Sequence, residues 1–116
     1  MKHLFVIYGE AATGKSELVK VLSKNYYNND LINKEQGVYV IDLFCECSAK
    51  EDVNKIIELF NKGEKYFNKE NHMFEYYNIR KIILVGNRNL NEEEVEKIKN
   101  EVNDEVSIST FETKRL

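Results

Sequence analysis

Residues 3–19, HLFVIYGEAATGKSELV, decide how the rest of the chain is read. His3 to Tyr8 form a short apolar run rich in branched and aromatic side chains, the composition of a strand buried on both faces. From Ser16 the period changes: Leu18, Val19, Val21 and Leu22 make a stripe along one side of a helix, with Glu17, Lys20 and Lys24 on the other. A strand, a turn bounded by Gly9 and Gly14, and a helix therefore follow one another directly.

Outward from that unit the same alternation repeats. The polar tract from Asn25 to Gln36 breaks the helix and reads as loop. Residues 38–44 (VYVIDLF) are a second buried strand interrupted by Asp42. Ser48 and Glu51, a hydroxyl and a carboxylate three residues apart, are placed to bond each other's backbone N–H, which starts a helix. Val53, Ile56, Ile57 and Phe60 carry it towards Tyr66. Residues 68–79 have no clean period and read as a loop or irregular turn. A third strand runs from Lys81 to Val85 and ends at Gly86; Asn91 with Glu94 caps a further helix striped by Val95, Ile98 and Val102. A last short strand covers Val106 to Ser109. Repeated β–α order predicts an α/β three-layer sandwich around a parallel sheet of about four strands with right-handed crossovers. The expected strand order is 2-1-3-4, with the Asp42 strand on one side of the first strand and the 81–85 strand on its other side.

Composition narrows the function classes. The chain has 116 residues, enough for one domain and one core, so residues 1–116 are read as a single minimal domain. Seventeen Lys and Arg against twenty Asp and Glu give a net charge of -3, and no basic stripe is present to track a phosphate backbone, so nucleic acid is not indicated. The longest apolar stretches are about six residues against the ~20 needed to span a bilayer, and no signal-peptide pattern opens the chain, so no membrane partner and a cytoplasmic location are expected. The C-x-C pair Cys45 and Cys47 suits a reducing compartment; neighbours this close seldom meet bridge geometry.

Gly9-Glu10-Ala11-Ala12-Thr13-Gly14-Lys15-Ser16 matches G-x-x-x-x-G-K-[ST] at every fixed position, between a strand and a helix, where the chemistry requires it. Backbone N–H groups of such a loop close around an oxyanion, and glycines permit the close approach. The N-terminus of the following helix adds roughly half a positive charge. Lys15 then reaches the β- and γ-phosphates of a nucleoside triphosphate, and the Ser16 hydroxyl coordinates Mg2+.

This pattern resembles the P-loop NTPase superfamily, whose members pair the loop with an acidic residue at the end of an adjacent apolar strand. Asp42, after Val38, Tyr39, Val40 and Ile41, is similar to that element, and the resemblance implies a Mg2+ site of Ser16 and Asp42. Gly86-Asn87-Arg88-Asn89 supports two family readings. In Ras-like GTPases an N-K-x-D segment here reads guanine, but the base-reading aspartate falls at Leu90. In AAA-type ATPases an Asn at this strand tip senses the γ-phosphate or positions water, a role that suits Asn87. Glu46, four residues past Asp42, is a further candidate for orienting the water, and Arg88 for stabilising γ-phosphate charge.

The resulting expectation is a Mg2+-dependent nucleoside-triphosphate-binding protein with slow NTPase activity, ATP favoured over GTP. Lys15, Asn87 and Glu46 are the catalytic candidates, and residues 9–16 the nucleotide loop. A small-molecule kinase and a non-catalytic nucleotide-binding or adaptor module are the alternatives. A protein partner or a second copy of the chain is considered because oligomeric P-loop ATPases often complete the site with a neighbour's arginine.

Overall fold

Two strands that are apolar along nearly their whole length hold the centre of the sheet. They are β1 (Lys2–Gly9) and β5 (Lys81–Gly86), paired in parallel with Leu4 opposite Ile82 and Tyr8 opposite Gly86. The computed structural model describes residues 1–10, 15, 17 and 37–114. The expected stripe Leu18–Leu22 and the polar tract 25–36 lie outside the described residues.

β2 (Val38–Phe44) joins the free side of β5, and β6 (Val106–Thr113) joins the free side of β1, both in parallel. The four-stranded parallel sheet of an α/β fold is therefore present, in the order β2-β5-β1-β6. This corrects the expected order 2-1-3-4: the strand beginning at Lys81 enters between the first strand and the Asp42 strand rather than flanking the first. Burial explains the choice. Every residue of β5 from Ile82 to Gly86 is buried, as are Leu4, Val6 and Ile7 of β1. Such strands gain most where both edges are hydrogen-bonded and both faces covered. β2 carries the exposed Asp42, and β6 carries Ser107, Ser109 and the exposed Thr110, so both belong at the margins.

Two described helices pack on one face. They are α1 (Ala49–Lys62) and α2 (Glu92–Glu101). Val53, Ile56, Leu59 and Phe60 of α1 and Ile98 of α2 join Leu4, Val6, Ile41, Ile82 and Leu84 in one core cluster. Each such buried side chain contributes about 1.5–3 kcal/mol relative to exposure. The opposite face carries a smaller cluster of Ile7, Val38, Ile83 and Val85. The helix expected after the loop belongs to the segment of which only Lys15 and Glu17, both helical, are described.

The two caps differ. Asn91 and Glu94 form the expected reciprocal box, with Asn91 Oδ1 accepting from the Glu94 N–H at 2.8 Å and Glu94 Oε1 accepting from the Asn91 N–H at 2.9 Å. Ser48 precedes α1 as expected but makes no such box: its hydroxyl donates to Asp52 Oδ2 at 2.9 Å. Nor does α1 reach Tyr66; it stops at Lys62, before Gly63.

The segment read as loop holds half of a hairpin. β3 (Glu64–Asn68) and β4 (Met73–Tyr77) pair antiparallel, apart from the main sheet. The Tyr66 and Tyr77 rings stack at 3.8 Å, and the Tyr66 hydroxyl donates to Glu75. That bond pushes the Tyr66 phenol up to about 12 and holds the Glu75 carboxyl below its ordinary range.

Candidate functional site

Parallel strands end together, so the C-terminal ends of β1, β5, β2 and β6 bring Gly9, Gly86, Phe44 and Thr113 to one edge of the sheet. Residues gathered at that edge come from chain positions far apart, which is why open α/β sheets place their crevices there. Close backbone approach governs two of the glycines. A Cβ on Gly86 would overlap the Phe44 carbonyl, and one on Gly9 would overlap the Thr113 carbonyl. The first glycine of the loop motif is thus also demanded by the fit of β6 against β1.

Lys15 is half-buried above this edge. Its Nζ donates to the Gly9 carbonyl at 2.7 Å and lies 3.5 Å from the Gly86 carbonyl. The ammonium therefore sits over the last carbonyls of the two central strands. It lines a cavity of about 480 Å³ together with Asp42, Phe44, Cys45, Gly86 and Asn87. Asn87 is fixed at its root, where its N–H donates to the Phe44 carbonyl at 3.1 Å. A second hollow of about 580 Å³ opens on the β6 side of Asn87, lined by Gly9, Glu10, Asn89, Thr113 and Lys114 among others. Asn87 borders both.

Of the residues singled out from sequence, Lys15, Asp42 and Asn87 share one cavity, and Gly9 and Glu10 border its neighbour. Ala11, Ala12, Thr13, Gly14 and Ser16 lie outside the described residues. Glu46 is placed elsewhere. Its carboxylate sits 2.6 Å from Arg88 Nε, and it lines a separate hollow of about 320 Å³ between α1 and α2. Arg88 is spoken for as well. Its guanidinium holds both oxygens of Glu94, donates to the Asn89 carbonyl at 2.7 Å and lies over the Phe44 ring. These partners make it a clamp between the β5 end and α2.

Cys45, not among the site residues singled out from sequence, also lines the Lys15 cavity. Cys45 and Cys47 are both free thiols, and their sulfurs approach to 2.9 Å without a bridge. The hydrogen bond from Cys47, with further bonds from Ser48, lowers the Cys45 thiol to about 7. The same contact, felt from the other side, raises Cys47. Position at the strand end, three residues beyond Asp42, is the signal that would have placed Cys45 here.

The donor chemistry suits a hard cation. Asp42, a carboxylate residue, and Asn87, an amide, border the cavity, and Mg2+ takes one or two carboxylates plus substrate phosphates rather than a full protein cage. Among the described residues no cluster of three or more His, Cys, Asp or Glu is set to hold a metal. No described helix is long and apolar enough to cross a membrane. Comparison of the chain with known protein families, with curated proteins and with solved structures finds no match.

Proposed function

We propose that this chain binds a Mg2+-nucleoside triphosphate, ATP in preference to GTP, along the C-terminal edge of the parallel sheet and hydrolyses it slowly. The observation that carries this reading is the Lys15 ammonium, held by the Gly9 and Gly86 carbonyls in a cavity shared with Asp42 and Asn87. The phosphates occupy that cavity. The nucleoside extends past Asn87 into the hollow beside β6, which is large enough for a sugar and a base.

Lys15 exchanges its carbonyl partners for β- and γ-phosphate oxygens and neutralises charge that grows on them. Asp42 and Ser16 are the residues that would hold Mg2+, which would polarise the γ-phosphoryl group. Asn87, at the tip of the strand between the loop strand and the Asp42 strand, accepts from the attacking water and orients it. Glu46 lies beside Arg88 at a different hollow, so this reading gives the water to Asn87. A kinase reading is weaker for a related reason: Arg88 is committed to Glu94, and Arg80 precedes β5 at the opposite end of the sheet.

Thermal unfolding with ATP, GTP and their diphosphates, with and without Mg2+, tests the proposal. Ligand at about a hundred times its dissociation constant adds ~2.7 kcal/mol to the folded state, a shift of several degrees in a domain this small. Mg-ATP is expected to stabilise the wild type and to leave Lys15→Ala unmoved. Equal melting of both proteins with every nucleotide would remove the proposal, and binding without phosphate release would reduce it to the adaptor reading.

A further inference from the structure

Cys45 and Cys47 flank Glu46 in the turn between β2 and α1, and three observations set them apart from ordinary surface thiols. Their sulfurs approach to 2.9 Å although a single residue separates them. Ser48 braces Cys45 twice, its Oγ accepting from the Cys45 N–H at 3.3 Å and lying 3.5 Å from Cys45 Sγ. Both sulfurs are reachable, because Cys47 is exposed and Cys45 opens into the Lys15 cavity. The pair also precedes the first turn of the 14-residue α1, whose N-terminal N–H groups favour a nearby anion.

We infer that this pair is a peroxide-oxidisable dithiol site in which Cys45 takes the oxygen and Cys47 resolves it. In the first step the Cys45 thiolate attacks the terminal oxygen of a hydroperoxide. An S–O bond forms, the O–O bond breaks, and the departing alkoxide or hydroxide takes a proton from solvent, leaving Cys45 as a sulfenic acid and releasing alcohol or water. In the second, the Cys47 sulfur attacks Cys45 Sγ, the S–O bond breaks, and hydroxide leaves as water with the Cys47 proton. The hydroperoxide is reduced by two electrons, and the two thiols become one disulfide. The lowered Cys45 thiol supplies thiolate at neutral pH, and the contact between the sulfurs places the resolving group where the intermediate forms. No nucleotide enters the scheme, so it stands or falls apart from the preceding proposal.

The test treats the full chain with hydrogen peroxide and follows it by intact-mass and peptide mass spectrometry, with dimedone to trap sulfenic acid. The wild type is expected to lose two hydrogens and regain them with dithiothreitol. Cys47→Ser should accumulate a dimedone adduct on Cys45, and Cys45→Ser should react about tenfold more slowly or less. The wild type in concentrated urea serves as the reference for an unorganised C-x-C sequence and should also react more slowly than the folded chain. Equal rates for the two serine variants, equal rates folded and unfolded, or a wild-type product that keeps the oxygen on one sulfur would each overturn the assignment.

Discussion

The Arg88 guanidinium grips Glu94 through two parallel bonds, Nη1 to Oε1 at 2.9 Å and Nη2 to Oε2 at 3.1 Å. Glu94 is also the reciprocal member of the α2 cap, so one carboxylate ties the end of β5 to the start of α2. Its side chain is 14% exposed and that of Arg88 26%, between a surface pair and a buried one. Arg88→Leu leaves the Glu94 charge without its main partner and should cost about 1–3 kcal/mol in urea unfolding. Arg88→Lys should recover little of it, because one ammonium cannot span both oxygens. A loss below the error of the extrapolation would mean the pair is idle.

The same bond sets an acid sensitivity. Arg88, and then the Asn91 N–H, hold the Glu94 carboxyl below its ordinary 4.5. A depressed carboxyl stabilises the fold fully above the unfolded value and loses that contribution as pH falls through the folded one. Stability should therefore drop on acidification from neutral pH to about pH 3, and Glu94→Gln, already lacking the charge, should drop less. Chemical denaturation of both proteins at the two pH values checks the difference, and parallel curves would contradict it.

Gly86→Ala probes the seam between β2 and β5. The added methyl would overlap the Phe44 carbonyl, which accepts from the Asn87 N–H, and would lie 2.7 Å from the Phe44 Cβ. Neither the carbonyl nor the strand bearing it can turn aside without breaking that bond. The expected cost is about 1–3 kcal/mol of stability. Hydrogen exchange should locate it as faster exchange of the Asn87 amide, and unchanged protection there would show that the strands yield without cost.

What could be read from the sequence follows how local each determinant is. The α2 cap needs only Asn91, Glu94 and the turn between them, and both bonds form as expected. The apolar runs of β1, β2 and β5 are equally local, and so is the motif that carries Lys15 to the sheet edge. Sheet order is not, because it depends on which strands compete for two-sided pairing, and β5 wins the centre by its unbroken burial. The hairpin escaped for a related reason: in Tyr66, Asn68, Glu75 and Tyr77 the inward face is held by polar and aromatic bonds rather than by an aliphatic alternation.

In the proposed function Asn87 positions water and does not bind the nucleotide. Its backbone is anchored to Phe44, and the residue borders the cavity that Lys15 shares with Asp42. In the proposed complex Lys15 and the loop carry the charge of the phosphates, so Asn87→Ala should leave Mg-ATP affinity within about threefold, less than 1 kcal/mol. Turnover should fall by about a hundredfold, the usual loss when one positioned polar group is taken from a transition state. Asn87→Asp keeps the size and an accepting oxygen but sets a negative charge beside the γ-phosphate, so it should weaken binding as well as turnover. Isothermal titration and single-turnover phosphate release on the three proteins distinguish the roles. Loss of affinity in Asn87→Ala with turnover per bound nucleotide unchanged would make Asn87 a binding residue and leave the water without its proposed partner.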